Sequence, residues 1–295
     1  MRVNFFLIGA QKAGTSSLHD YLRTYVSGIY MTPRKETFYF TSNRFGKDLE
    51  SGDFSHYHDS FFRDVPAESL YIGESSTHYS MLPFEPSVAP RIHSYNQQSK
   101  ILYVVRDPVD RAVSNYWHFV SLSAEGRSMM EAFKQNSQYK MTGDYMYQIK
   151  PYLDLFPLEN IRILLFSDLV SNPIESLKSI SLWLVGTSFD ETNLVQEFLP
   201  IERRSRKNLK DLSIASGTIL SKLKYSNFWR YRLRQFVPSA IREAGKRYAL
   251  KPIKPGEGDA LREELLAREY LHHTLDPLWR NFLDHDTIKS LVIKI

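Results

Sequence analysis

Four apolar runs punctuate the chain, and each is trailed by residues of helical period. VNFFLI (3–8) reads as a buried strand, and TSSLHDYLRTY (15–25), apolar at 18, 21, 22 and 25, as the helix it feeds. SLYIGE (69–74) and KILYVVRD (100–107) read as two more strands. Pro108 suits the first turn of the helix DPVDRAVSNYWHFVSL, because its missing N–H would have no intrahelical partner there. GDYMYQIKPYLDLF is a further helix with a possible break near Pro151, and NIRILLFS (160–167) a fourth strand. SNPIESLKSISLWLVG follows as a helix with Pro173 at its start and Gly186 after its end. From 190 to 212 the pattern fails in a polar loop carrying ERRSRKN. Basic helical stretches come next, and then a last helix around 257–272. Apolar runs alternating with helices predict an α/β fold, a central parallel sheet flanked by helices. We expect one domain over 1–295, with its core at about 3–210 and a basic, helical C-terminal part at about 211–295.

Composition narrows the class. With 295 residues, 42% hydrophobic, and 18 Tyr and 18 Phe, the chain can bury a substantial core. It has no cysteine, which excludes disulfides, thiolate metal sites and a thiol nucleophile. The first apolar run is too short for a signal segment and no stretch reaches the length of a membrane span, so the cytoplasm is the expected location. Net charge is +5, but it is uneven: 203–254 carries 15 Lys and Arg against Asp211 and Glu243, leaving the remainder of the chain acidic. Such a block implies an anionic partner or a solvated helix face. Within it, YSNFWRYRLRQFV interleaves aromatics with Arg230, Arg232 and Arg234, a mixture suited to peripheral contact with an anionic membrane. It matches no nucleic-acid motif, and no nucleic-acid partner is expected.

The loop after the first strand is GAQKAGTSS (9–17). Gly9 and Gly14 keep the spacing of a triphosphate-binding loop, but Thr15 stands where that loop has its lysine, and Lys12 lies inside the loop. Backbone N–H groups of a tight turn and a helix N-terminus form an anion cradle, to which Thr15, Ser16 and Ser17 add hydroxyls and Lys12 adds charge. An ordinary βα turn is the plainer reading. A kinase would need an acid at a strand end to hold Mg²⁺, whereas ILYVV ends in Arg106. Arg106 and Ser114, eight residues apart, suit convergence on one phosphate, although an Arg106–Asp107 ion pair and a small helix-contact residue would also explain them.

KAGTSSL and RDPVDRAVSNYWHF together resemble the two signature segments of the sulfotransferases that use 3′-phosphoadenosine 5′-phosphosulfate (PAPS). GESSTHYS (73–80) and YLDLFPLENIRILLFSDLVSNPIESLKSISLWL (152–184) resemble further family segments, so that the likeness covers about 3–210. The resemblance implies a fold related to the nucleotide kinases, with PAPS as donor, PAP as product and no metal. It implies that Lys12, Ala13, Gly14, Thr15, Ser16 and Ser17 hold the 5′-phosphosulfate, and Arg106 and Ser114 the 3′-phosphate. Arg206, Lys207 and Asn208 would close over that phosphate.

TPRKETFYF (32–40) resembles the segment that carries the general base in the carbohydrate-sulfating branch, which assigns that role to Glu36. A carboxylate in a dry pocket can take the proton of an attacking hydroxyl. Glu74 and His78 are the alternative bases, and a surface salt bridge of Glu36 with Arg34 or Lys35 is the plain alternative. Phe38, Thr41 and Ser75 depart from the glycosaminoglycan-modifying pattern, which points to a different acceptor. The expected activity is sulfuryl transfer from PAPS to a hydroxyl of a carbohydrate or glycolipid, with Lys12 and Glu36 catalytic. A small-molecule kinase and a sulfotransferase of non-carbohydrate hydroxyls are the alternatives.

Overall fold

The computed structural model describes residues 2–186, 213–214, 250–251 and 257–295. The chain groups into two compact units. The first is Met1–Arg111, Met141–Ile201 and Pro277–Ile295; the second is Ala112–Lys140 and Glu202–Asp276.

The first unit is built on a five-stranded sheet of β1 (Phe5–Gly9), β2 (Ile29–Met31), β3 (Tyr71–Ser75), β4 (Lys100–Val105) and β5 (Ile161–Leu165), in the order β2-β3-β1-β4-β5. Every pairing is parallel, as the alternation of runs and helices predicts. Four of the strands are the four apolar runs. The fifth, β2, is only IYM at a sheet edge, too short to leave a periodic signal. β1 and five of the six residues of β4, Ile101 to Val105, are buried throughout, the mark of a parallel sheet covered on both faces.

Helices α1 (Thr15–Tyr25), α2 (Asn43–Ser51), α3 (Ser55–Phe61), α4 (Val88–Tyr95), α8 (Tyr145–Leu155), α9 (Phe166–Ser171) and α10 (Pro173–Val185) belong to this unit. Between α4 and α8 come α5 (Pro108–Ser121), which begins in the first unit, then α6 (Met129–Gln135) and α7 (Gln138–Met141). α8 runs through Pro151 without a break. α2 and α3 had no clear pattern: NRFGKDLES has two apolar side chains and a glycine, and α3 is seven residues long. They are held instead by a cluster of rings in which Tyr57 stacks on Tyr39 at 3.9 Å, and Phe45 and Tyr95 pack on Phe40.

The last helices, α11 (Glu257–Asp284) and α12 (Asp286–Leu291), extend the sequence expectation of one helix around 257–272. From Pro277 onward they join the first unit, where Phe282, Ile288, Leu291 and Ile293 enter its core. Ile293 N–H donates to Ile163 O (2.9 Å), so the C-terminal segment covers the open edge of β5.

Ser128 opens α6 in the second unit with a reciprocal cap between its hydroxyl and Glu131. Buried Glu125 there accepts from Arg127 and Tyr139. Arg206, Lys207, Asn208 and nearly all of the basic block lie outside the described residues.

Candidate active site

In an open parallel sheet the carboxyl ends of the strands point one way, and the loops that leave them share one rim. Here β1 delivers residues 10–14, β2 delivers 32–38, β3 delivers 76–80, β4 delivers Arg106 and β5 delivers Phe166. All of these belong to the first unit.

The loop after β1 closes against the sheet through Ala10 N–H to Val104 O (2.7 Å). Gly14 takes φ 82° as N-cap of α1, a conformation that disfavours other residues, and a Cβ there would meet the Phe166 ring at 2.8 Å. At Gly9 the Ser80 hydroxyl, which donates to Ile8 O (2.9 Å), fills the space that a side chain would need. The turn therefore exists only with glycine at both ends, and it leads into the unsatisfied N–H groups of the first turn of α1. Thr15 is buried, Ser17 half-buried and Ser16 exposed; Ala13 is buried, and Lys12 sits at φ 71°.

Arg106 leaves β4 directly beside this loop. Its Nη1 donates to Lys12 O (3.4 Å), its Nη2 reaches Asp110 Oδ2 (3.4 Å), and its guanidinium lies 4.9 Å from the Phe166 ring centre. Tyr145 clamps the Arg106 backbone by accepting from its N–H (3.3 Å) and donating to its carbonyl (2.5 Å), and Trp279 and Phe282 pack on Tyr145. Asp107 does not pair with Arg106; it accepts from Asp110 N–H (2.8 Å) and caps α5. Ser114 is half-buried on α5, in the part that belongs to the second unit.

The loop after β2 is built on a different principle. Thr37 is buried and donates to Glu74, which is fully buried and also accepts from Tyr57 (2.7 Å) and Tyr79 (3.0 Å). Burial pushes the Glu74 carboxyl up to about 7, against the pull of these three donors. On either side of this anchor Glu36 and Phe38 take φ 60° and 56°, left-handed values uncommon for residues with side chains. Both side chains are thereby presented where Thr37 is not. Phe38 is 37% exposed and meets His78 edge-on at 4.8 Å.

The Glu36 backbone N–H donates to Ser75 O (2.8 Å). Its carboxylate accepts from Thr77 N–H at Oε2 (2.9 Å) and from the Thr77 hydroxyl at Oε1 (3.1 Å). Lys35 Nζ donates to the same Oε1 (2.8 Å) and also to Thr15 Oγ1 (3.1 Å). The salt bridge of Glu36 is therefore with Lys35, and through it the carboxylate is tied to the first residue of α1. His78 is largely buried, and burial lowers its pKa, which keeps it neutral. Beneath the rim His19 donates from Nε2 to Thr32 O (3.0 Å), so its Nδ1 accepts from Ser75 Oγ (2.7 Å); burial lowers its pKa to about 4.

Lys12, Ala13, Gly14, Thr15, Arg106 and Glu36 are thus assembled at one rim of the first unit. Sequence reading missed Thr77, Tyr145 and Phe166, which hold the site together, and saw Lys35 only as a salt-bridge partner. Of these, only Lys35 left a signal, through its place beside Glu36.

The sulfotransferase domain family matches residues 3–230. The chain belongs to that family. A sulfotransferase from Alicyclobacillus acidocaldarius is similar in structure, with a TM-score of 0.55 and 30% identity over 71% of this chain and 89% of that one. In sequence, the human bifunctional heparan sulfate N-deacetylase/N-sulfotransferase 2 is 25% identical over 204 residues, 63% of this chain and 22% of the relative. The mouse heparan sulfate glucosamine 3-O-sulfotransferase 3B1 is 27% identical over 191 residues, 60% of this chain and 45% of the relative. The chain spans under half the length of these two relatives.

Proposed function

We propose that this sulfotransferase-family protein moves a sulfuryl group from PAPS to a hydroxyl of a carbohydrate or glycolipid, with Glu36 as general base. The observation that carries the reading is the link from the Glu36 carboxylate, through Lys35, to Thr15 at the anion cradle. A base for this reaction must sit within reach of the group being transferred, and Glu36 is held beside the cradle by Thr77. Glu74, with no exposed surface and three donors, serves as an anchor in this reading. His78 packs on Phe38.

The cradle suits a phosphosulfate: glycine-shaped backbone at a helix N-terminus, a hydroxyl at Thr15, and Lys12 in the loop. Arg106, held rigidly by Tyr145 and only 17% exposed, offers a fixed cation for the 3′-phosphate, together with Ser114. Arg206, Lys207 and Asn208 complete that phosphate site in our reading, on the likeness to the family's late basic loop. In the reaction the acceptor oxygen bonds to sulfur as the sulfur–oxygen bond to the 5′-phosphate breaks. The electron pair stays on the phosphate oxygen and the acceptor proton passes to Glu36. Lys12 and the loop amides offset the charge gained by the phosphate, so catalysis rests on position and charge.

The saccharide acceptor is supported by the heparan sulfate relatives and by Phe38, whose ring gives a sugar face or the apolar end of a glycolipid a surface beside the base. The basic block at 203–254 suits peripheral contact with an anionic membrane; sedimentation with anionic vesicles, weakened by salt and lost in Arg230/Arg232/Arg234→Glu, tests that part. Among the described residues no helix is long and apolar enough to cross a membrane.

The donor assignment is tested by thermal shift. PAP should raise the melting temperature more than ADP or AMP, with the effect intact in EDTA, because a ligand stabilises the state it binds. Equal stabilisation by ADP with Mg²⁺ would return the chain to kinase chemistry.

A further inference from the structure

Among the described residues two features lie outside the proposed reaction, and a third joins its two halves. A cleft of mixed lining at the amino ends of the strands, where Asn4, Asn96 and Gln98 face Leu70, Leu184 and Val185, has nothing against it that would identify an occupant. Trp183 carries two cations, Lys100 and Arg162, at 5.6 and 5.5 Å from its ring centre, which is the bland behaviour of a surface tryptophan. The third is Lys35, and its two contacts carry an inference.

An ammonium group has three protons to donate and no way to accept. Lys35 spends one on Glu36 Oε1 (2.8 Å) and one on Thr15 Oγ1 (3.1 Å), and it remains 19% exposed. Its two partners belong to the two halves of the reaction, the base and the donor cradle. The Thr15 hydroxyl, at the head of α1, is where the 5′ end of the nucleotide is expected. An anion arriving there competes with the Glu36 carboxylate for the same ammonium.

Glu36 has a second source of support that Lys35 lacks. Thr77 N–H holds Oε2 at 2.9 Å and its hydroxyl holds Oε1 at 3.1 Å, so losing Lys35 would free one acceptor position on Oε1 without releasing the side chain.

We propose that Lys35 couples the donor cradle to the base. With the cradle empty it bridges Thr15 and Glu36. A 5′-phosphate or phosphosulfate at Thr15 draws the ammonium onto its own oxygens, and the position on Glu36 Oε1 that Lys35 occupied becomes available to the acceptor hydroxyl. Lys35 keeps its proton throughout and acts as a positioning residue for Glu36. This inference rests on the sulfotransferase reading above.

The coupling can be measured without knowing the acceptor, by calorimetric titration of PAP into the wild type, Glu36→Gln, Lys35→Met and the double variant. Glu36→Gln removes the competitor and should tighten PAP. Lys35→Met should weaken it, and in that background the tightening by Glu36→Gln should shrink about threefold or more, the scale of coupling between residues in direct contact. Adenosine 3′-monophosphate, which lacks the 5′-phosphate, should bind all four proteins alike, a result that a general structural defect would not give. Lys35→Arg should keep the coupling and Lys35→Gln should lose it, so the inference stays testable if Lys35→Met folds poorly. Equal tightening of PAP by Glu36→Gln in both backgrounds would reduce the effect to long-range charge and overturn the coupling. If ADP titrated into the wild type binds as tightly as PAP, the donor assignment fails instead, and that comparison tells the two failures apart.

Discussion

The proposed donor cradle and the proposed base loop stand at the same rim of the same sheet, yet they are made in opposite ways. The cradle is a backbone structure: glycines at 9 and 14 shape it, the head of α1 supplies its donors, and side chains pack around it without specifying it. The base loop is a side-chain structure. Thr37 reaches down to a buried carboxylate between Glu36 and Phe38, both left-handed, and Glu36 is held further by Ser75 and Thr77. An anion needs many aligned N–H groups, which backbone provides cheaply. A base needs one oxygen in one place, which takes a dedicated support.

The sharpest way to separate the two is to remove one side chain from each. Glu36→Gln should lower turnover by roughly 10² or more while PAP binding is retained or tightened, the scale expected for a lost general base. Arg106→Ala should do the reverse, weakening PAP by about ten- to a hundredfold through loss of a charge-assisted contact. Steady-state rates and titration calorimetry on the same preparations decide it. Wild-type turnover in Glu36→Gln would move the base elsewhere.

The supports beneath the rim make a prediction about pH. Glu74 is raised to about 7 by burial, so the stability it contributes is fully present below its ordinary value near 4.5 and is lost as pH rises through 7. His19 is lowered to about 4, so its contribution is present above its ordinary 6.5 and is lost as pH falls through 4. Each amounts to on the order of 3 kcal/mol across its window, and between roughly pH 4.5 and 6.5 they run in opposite directions. Relative to the wild type, Glu74→Gln should therefore gain stability as pH rises through that interval, and His19→Asn should lose it. Urea denaturation at three pH values tests both signs, and a parallel response of the two variants would refute the opposition.

A smaller effect should follow from cutting the anchor alone. Thr37→Val keeps the shape of the side chain but removes the hydroxyl that Glu74 accepts from, and turnover should fall by about tenfold as the loop carrying Glu36 loses one of its anchors. PAP affinity should hold, because the cradle does not depend on Thr37. A variant that loses donor affinity and turnover together would show that the two structures are less separate than their construction suggests.

The same contrast explains what the sequence disclosed. Backbone structures leave local signatures: the spacing of Gly9 and Gly14 and the apolar runs at 3–8 and 100–107 could be read in place. Arg106 was legible because it follows a strand and precedes Pro108. The support of the base was not legible, because Thr37, Tyr57 and the pair Glu74 and Tyr79 come from three separate stretches and meet only in the folded chain. Glu74 could be noticed as a carboxylate near the site, but nothing local distinguishes an anchor from a base. β2 and α3 were missed for want of length, and α2 for want of an apolar stripe. The C-terminal segment read as an appendage, yet Phe282 and Trp279 pack on the tyrosine that clamps Arg106.

The alternation at 36, 37 and 38 has an evolutionary consequence. Because Glu36 is fixed by Ser75 and Thr77, and Thr37 by Glu74, the residue at 38 can be exchanged without moving the one at 36. On the proposed assignment, selection could act on the acceptor through the ring at 38 while Glu36 keeps its setting. A lineage could change acceptors by single substitutions there, each intermediate still a working enzyme.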